Sequence, residues 1–151
     1  SATRDKLSNR AENKFLETFF KGVELRKWQF TWQFRPKSPE EVIEVQKIIK
    51  TFKFHSMPEF PGDSSGGRFF TVPATWDIFY MYRGDENQWI NKLATCVCGG
   101  VNINYSPTAW QTFRPLAGID MPQGAPPTEI DMMLDFMETR IITKKDVLEG
   151  F

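Results

Sequence analysis

The chain of 151 residues carries 19 basic and 19 acidic side chains, is 40% hydrophobic and 25% charged, and holds two cysteines. Formal neutrality removes the general electrostatic case for a protein that coats nucleic acid or a membrane surface. No apolar run reaches the ~18 residues of a membrane span, and two cysteines cannot build a disulfide framework. The length suits one globular domain, burying about two-thirds of the surface its unfolded chain exposes. It opens on Ser1 with no charged-then-apolar leader, which reads as a fragment or trimmed product without a visible export signal. The outlying number is aromatic: 14 Phe, 5 Trp and 3 Tyr. Such a supply fills a β-rich core or serves subunit interfaces, and neutrality beside it leans towards assembly.

Residues 1–14 are polar without a sustained period and read as a mobile arm, ahead of a domain over residues 15–151. A helix is expected from about Glu12 to Phe20, stopping at Gly22. From Trp28 to Phe34 four aromatics alternate with Gln29, Thr31 and Gln33, the period of a half-buried strand. Ser38-Pro39-Glu40-Glu41 supplies an N-cap serine, a proline in the first helical position and a glutamate three residues after the cap. Val42, Val45, Ile48, Ile49 and Phe52 follow at helical spacing, which predicts a helix from Pro39 to about Lys53. Met57-Pro58 and Phe60-Pro61 close that region, because a residue before proline is pushed away from helical angles.

Pro61 to Gly67 reads as a flexible loop and Phe69 to Val72 as a short strand. Trp76 to Tyr82 reads as a strand apolar on both faces, hence central or interfacial. Arg83 to Asn87 is a turn. Leu93 to Tyr105 is a long strand interrupted by Gly99-Gly100, which marks a bulge or tight bend. Ser106-Pro107-Thr108 turns into a short strand at Trp110 to Phe113. Pro115, Pro122, Pro126 and Pro127, with Gly118 and Gly124, make residues 115–127 an irregular loop. Thr128 to Ile142 is the last strand, with Ile130, Met132, Leu134 and Phe136 on one face and Glu129, Asp131 and Asp135 on the other. Thr143 to Asp146 repeats the capping pattern and starts a short helix that ends at Gly150. The elements sum to a strand-dominated α+β fold with one main helix on the sheet.

Little of this assembles into chemistry. Gly62-Asp63-Ser64-Ser65-Gly66-Gly67 echoes the nucleophile run of trypsin-like proteases, but the extra serine breaks the spacing of the oxyanion-hole amides. His55, the one histidine, has no matching acid or nucleophile and reads as a surface or structural residue. Cys96 and Cys98 point to the same face of a strand; they read as packed thiols, two short of a structural zinc site. Gly99-Gly100 lacks the third glycine, lysine or helix signal of a phosphate loop. No acid–base–nucleophile set emerges, so no enzyme, metal or cofactor is expected. The Trp28 to Phe34 aromatics, flanked by Arg26, Lys27, Arg35 and Lys37, leave a nucleic-acid-binding β-domain as the alternative function. Glu129, Asp131 and Asp135 form an acidic row that is either a solvated strand face or a wall that repels a polyanion sliding past.

The order of several short motifs carries a resemblance. The stretch Glu17-x-x-Phe20-x-Gly22-x-x-x-Arg26-x-Trp28-x-Phe30-x-Trp32-x-Phe34-x-Pro36-x-Ser38-x-Glu40-Glu41 opens it. Pro73-x-x-Trp76-Asp77-Ile78, Cys96-Val97, Asn104-Tyr105-Ser106-Pro107 and Thr112-Phe113 continue it. Ala125-Pro126, Phe136-x-Glu138, Ile141-Ile142-Thr143-Lys144 and Gly150-Phe151 close it. Together they resemble the tail-tube-like domain of the baseplate tail tube initiators, or baseplate–tail-tube junction proteins, of contractile T-even-like phages. The resemblance implies two packed antiparallel sheets with a flanking helix. It also implies a hexameric ring of identical subunits at the baseplate, whose sheets join into a barrel around the DNA channel. Its partners are then tail tube protein and baseplate hub proteins; DNA passes without specific binding, and no membrane or cofactor is involved. The location is the virion, after assembly in the host cytoplasm. On this reading Glu129, Asp131 and Asp135 face the lumen, and Phe79 and Met81 belong to a subunit interface.

Overall fold

A computed structural model describes residues 24–59, 71–115, 117 and 122–151. The expected arm and helix before Gly22, the Pro61 to Gly67 loop and the first half of the Phe69 to Val72 strand lie outside the described residues, and Thr71 of the second half forms a single bridge with Glu59. Strand β1 spans Lys27–Phe34 and helix α1 spans Pro39–Ser56. Short strands β2 (Thr75–Trp76), β3 (Met81–Tyr82) and β4 (Asp85–Glu86) come next, then the long β5 (Cys96–Asn104) and β6 (Ile130–Glu138), and helix α2 (Lys144–Leu148). The main sheet is antiparallel in the order β1-β6-β5-β2, and β3 pairs with β4 as a separate two-stranded antiparallel sheet. Two antiparallel sheets and one main helix give the strand-dominated α+β architecture that the sequence predicts, the second sheet being a ribbon of two residues per strand.

Strand β6 organises the core because it is central and its alternation is complete. Ile130, Met132, Leu134 and Phe136 are buried, each opposite an aromatic of β1: Phe34, Trp32, Phe30 and Trp28 respectively. The Phe30 and Phe136 rings meet edge to face with centroids 5.9 Å apart, the geometry in which aromatic quadrupoles attract. Helix α1 covers this face through Val42, Val45 and Ile49, and Phe52 stacks on Trp76 at 5.0 Å. Its start is as expected. The Ser38 hydroxyl accepts from the Glu41 amide, while the Glu41 carboxylate reaches past the cap to the Lys37 amide at 2.7 Å. Its end is three residues later than the predicted Lys53. Nothing in Phe54-His55-Ser56 breaks a helix, and the chain turns extended only at Met57, forced by Pro58.

Four expected strands are cut back. Trp76 to Tyr82 is not one strand but β2 and β3 separated by Asp77–Tyr80. The alternation survives, with Trp76, Ile78 and Tyr80 half-buried and Asp77, Phe79 and Met81 exposed. The ladder is lost because β5 begins at Cys96 and offers β2 only Cys96 and Val97 as partners. Trp110 to Phe113 reduces to a single bridge, Thr112 to Pro127, since consecutive prolines at 126 and 127 have no N–H to donate. The last strand ends at Glu138, four residues before the expected Ile142. Strand β5 starts three residues after the expected Leu93, and its register shifts between Cys98 and Gly100 as the glycine pair predicts.

Arg83 and Gly84, both at positive φ (50° and 92°), form the two-residue connection of the β3–β4 hairpin, narrower than the expected five-residue turn. Helix α2 has a complete capping box between Thr143 and Asp146. It closes in a Schellman motif: Gly150, at φ 98°, donates to the Val147 carbonyl and Phe151 to the Asp146 carbonyl.

Candidate assembly surfaces

Four regions concentrate side chains that the core does not use, and each arises from a local feature of the chain. The first is the outer face of the main sheet, built by the odd-numbered residues of β1 and β6. Glu129, Asp131 and Asp135 do lie together here, half-buried rather than freely solvated. Arg35, just past β1, reaches Asp131 at 2.7 Å and Glu129 at 3.6 Å. The Gln29 side-chain amide donates to Asp135 at 2.8 Å across the strand pair. One guanidinium therefore neutralises part of the row. Arg35 is one of the four cations that, in the sequence, flank the β1 aromatics and suggest the nucleic-acid alternative.

The second region is the pair of free edges of that sheet. Beyond β1, residues 27–34 face no strand among the described residues, and beyond β5, β2 covers only Cys96 and Val97. Each leaves a row of backbone donors and acceptors open to a further strand.

The third region is the hairpin together with its two flanks in the chain. Phe79, Met81 and Tyr82 are each about 60% exposed and Trp89 is 97% exposed. Phe79 and Met81 are thus both on the surface. Tyr82 closes the strand that the sequence marks as apolar on both faces, whereas Trp89 is an addition that no periodicity singled out, because it sits in a turn.

The fourth region is an open groove of about 950 Å³ between the end of α1 and the chain entering β2. Its walls include Ile49, Phe54, Met57, Val72 and Tyr105, with Lys50, Lys53 and Glu59 at the rim. His55 lies beside it. Its backbone carbonyl accepts from the Ala74 amide, and its ring meets Trp76 edge to face.

One charged group is sealed in the core. Glu138 continues the even-numbered face of β6, is fully buried, and accepts from Arg26 Nε at 2.8 Å and Trp28 Nε1 at 2.7 Å through the same oxygen. Its strand parity with Ile130 to Phe136 is the signal that could have found it in the sequence. Opposite it in β5, Cys96 is buried and donates to the Ala94 carbonyl, and burial first, then the Glu138 charge, pushes its thiol up to about 11. Cys98 is half-buried on the same face. No group of three metal-binding side chains occurs among the described residues, and Gly62 to Gly67 lies outside them. Of the β1 aromatics, Trp28 is bound to Glu138 and Phe30 and Phe34 pack on the core, so only Trp32, 41% exposed, is open to a base.

Residues 5–70 match the family whose members are described as tail-tube assembly proteins. Over that stretch the chain is similar to a phage tail-tube related domain. Within the described part of the match, β1, the Ser38 cap and α1 are its visible elements, and α1 contributes one wall of the groove. The match implies interaction with other tail proteins in the virion tail. No curated protein matches the chain significantly.

Proposed function

We propose that this chain is a non-enzymatic structural subunit that forms a hexameric ring at the baseplate of a contractile tail. The ring initiates the tail tube and lines its DNA channel. The observation that carries the proposal is the pair of sheet edges that face no strand among the described residues, β1 on one side and the 98–104 stretch of β5 on the other. A subunit open at both sheet edges can join its neighbour's sheet on each side, and rotational closure removes every edge. On this reading Phe79 and Met81 are covered by a neighbour. The outer face with Glu129, Asp131 and Asp135 faces the lumen, where its remaining negative charge keeps DNA from adhering. Tail tube protein and baseplate hub proteins contact the ring's two ends, and assembly takes place in the host cytoplasm.

Negative-stain electron microscopy of the purified chain, alone and with its baseplate hub, tests the proposal. Six-fold rings or short tubes are expected; a monomer in both samples overturns it. Phe79→Glu with Met81→Glu should abolish rings while the monomer stays folded. Neutralising the row with Glu129→Gln, Asp131→Asn and Asp135→Asn should leave rings intact and impair DNA delivery. Normal infection by that triple variant removes the lumen assignment alone.

A further inference from the structure

We infer that the β3–β4 hairpin of one copy seats in the groove beside α1 of the next, a heterologous contact between two different surfaces of the same chain. The inference rests on the self-assembly reading above and names the surfaces that meet. Three observations on the molecule support it.

Among the described residues the hairpin has little cover on either face. Its strands are two residues long, extended by one bond from the Asn87 amide to the Tyr80 carbonyl, and Met81 and Tyr82 point to opposite sides yet are both about 60% exposed. An isolated two-stranded hairpin is marginal in water. With Phe79 and Trp89 it offers on the order of 500 Å² of apolar surface, near the upper end of what a monomer leaves uncovered. The groove is the matching concavity, walled by Phe54, Met57 and Val72, each more than 60% exposed.

The rims match in charge. Arg83, Asp85 and Glu86 stand on the hairpin; Glu59, Lys50 and Lys53 stand at the groove. One cation and two anions face one anion and two cations, and none of the six forms an ion pair among the described residues. A second copy therefore meets the groove with complementary charges as well as apolar side chains.

The two surfaces cannot meet within one copy without breaking the sheet. The chain enters β2 at Thr75 from the groove side, through Pro73 and Ala74, and leaves it after Trp76 towards the hairpin. β5, antiparallel to β2, carries the groove residue Tyr105 just beyond its far end and Cys96, opposite Trp76, at its near end. Groove and hairpin thus lie in opposite directions along the strands, the arrangement that repeats head to tail.

Paired charge reversal tests the contact. One variant carries Asp85→Lys and Glu86→Lys, the other Lys50→Glu and Lys53→Glu, and circular dichroism confirms that each is folded. Sedimentation velocity at high micromolar concentration and low salt should show wild-type self-association, weakened about tenfold or more in each variant alone. An equimolar mixture should recover it, because each variant's hairpin then finds a groove of opposite sign. Variants that associate like the wild type, or a mixture that fails to recover, overturn the contact. A wild-type chain that stays monomeric overturns it as well. Six-fold rings that persist in both variants leave the ring reading standing without this contact. Charge-dependent association with no rings leaves the contact and removes the ring.

Discussion

The end of β6 and the β3–β4 hairpin leave their side chains in opposite states. Where β6 ends, Glu138 is fully buried and held by Arg26 and Trp28, and the surrounding side chains close over it. Elsewhere, the hairpin leaves Met81, Tyr82 and Trp89 uncovered. The first region holds its charge through one carboxylate oxygen within the chain; the second leaves its apolar side chains in solvent among the described residues. A core fails when one member is removed, because a buried group loses its partner. An open surface loses nothing in the monomer and everything in the assembly.

Substitutions in the two regions sharpen that contrast, and the largest effects belong to the sealed end. Arg26→Ala leaves the Glu138 carboxylate buried with one neutral donor and should cost about 3–5 kcal/mol of folding stability, read by urea denaturation. Leu134→Ala, fully buried between β1 and β5, should cost about 2–5 kcal/mol in the same assay. Ser38→Ala removes the α1 cap and should cost about 1 kcal/mol. Trp89→Ser should change monomer stability by no more than about 0.5 kcal/mol, while weakening any self-association measured by sedimentation. A Trp89→Ser monomer that unfolds readily would erase the distinction between the two regions.

Two pH effects lie at the small end. The Cys96 thiol is pushed up to about 11 from 9.0, so the unfolded chain ionises first. The stability this contributes is complete below pH 9 and declines as pH rises towards 11, so alkylation of Cys96 in the folded chain should lag that of the denatured chain throughout this range. Asp146 is shifted the other way, held below the usual carboxylate range first by its hydrogen bond with Arg140 and then by those with Thr143. Its contribution is present above its ordinary value of 3.8 and lost as pH falls below it. Protection of the Gly150 and Phe151 amides, whose bonds close α2, measured relative to their intrinsic exchange rates, should therefore fall on acidification in the wild type and not in Asp146→Asn. The group is on the surface, so added salt should shrink the difference.

Periodicity made the strongly patterned elements legible. β1, α1 and β6 announce themselves because one face of each is buried and the other wet, and alternation or helical spacing records that directly. Caps at Ser38 and Thr143 and the bulge at Gly99-Gly100 were equally local. What failed depended on a partner: Trp76 to Tyr82 has the right alternation, but no neighbouring strand runs beside its middle. Trp110 to Phe113 faces prolines that cannot complete a ladder. The acidic row was visible in the sequence as a pattern of signs, but not its neutralisation by Arg35, 96 residues from Asp131 in the chain.

The sequence by itself determined which residues share a face, where helices begin and where the backbone must turn, since these depend only on side-chain period, capping chemistry and the angles that proline and glycine impose. Only the tertiary structure decided which strands found partners, which acids found an arginine, and which apolar residues remained uncovered. Those outcomes depend on contacts between segments far apart in the chain, whose free energies no local pattern carries.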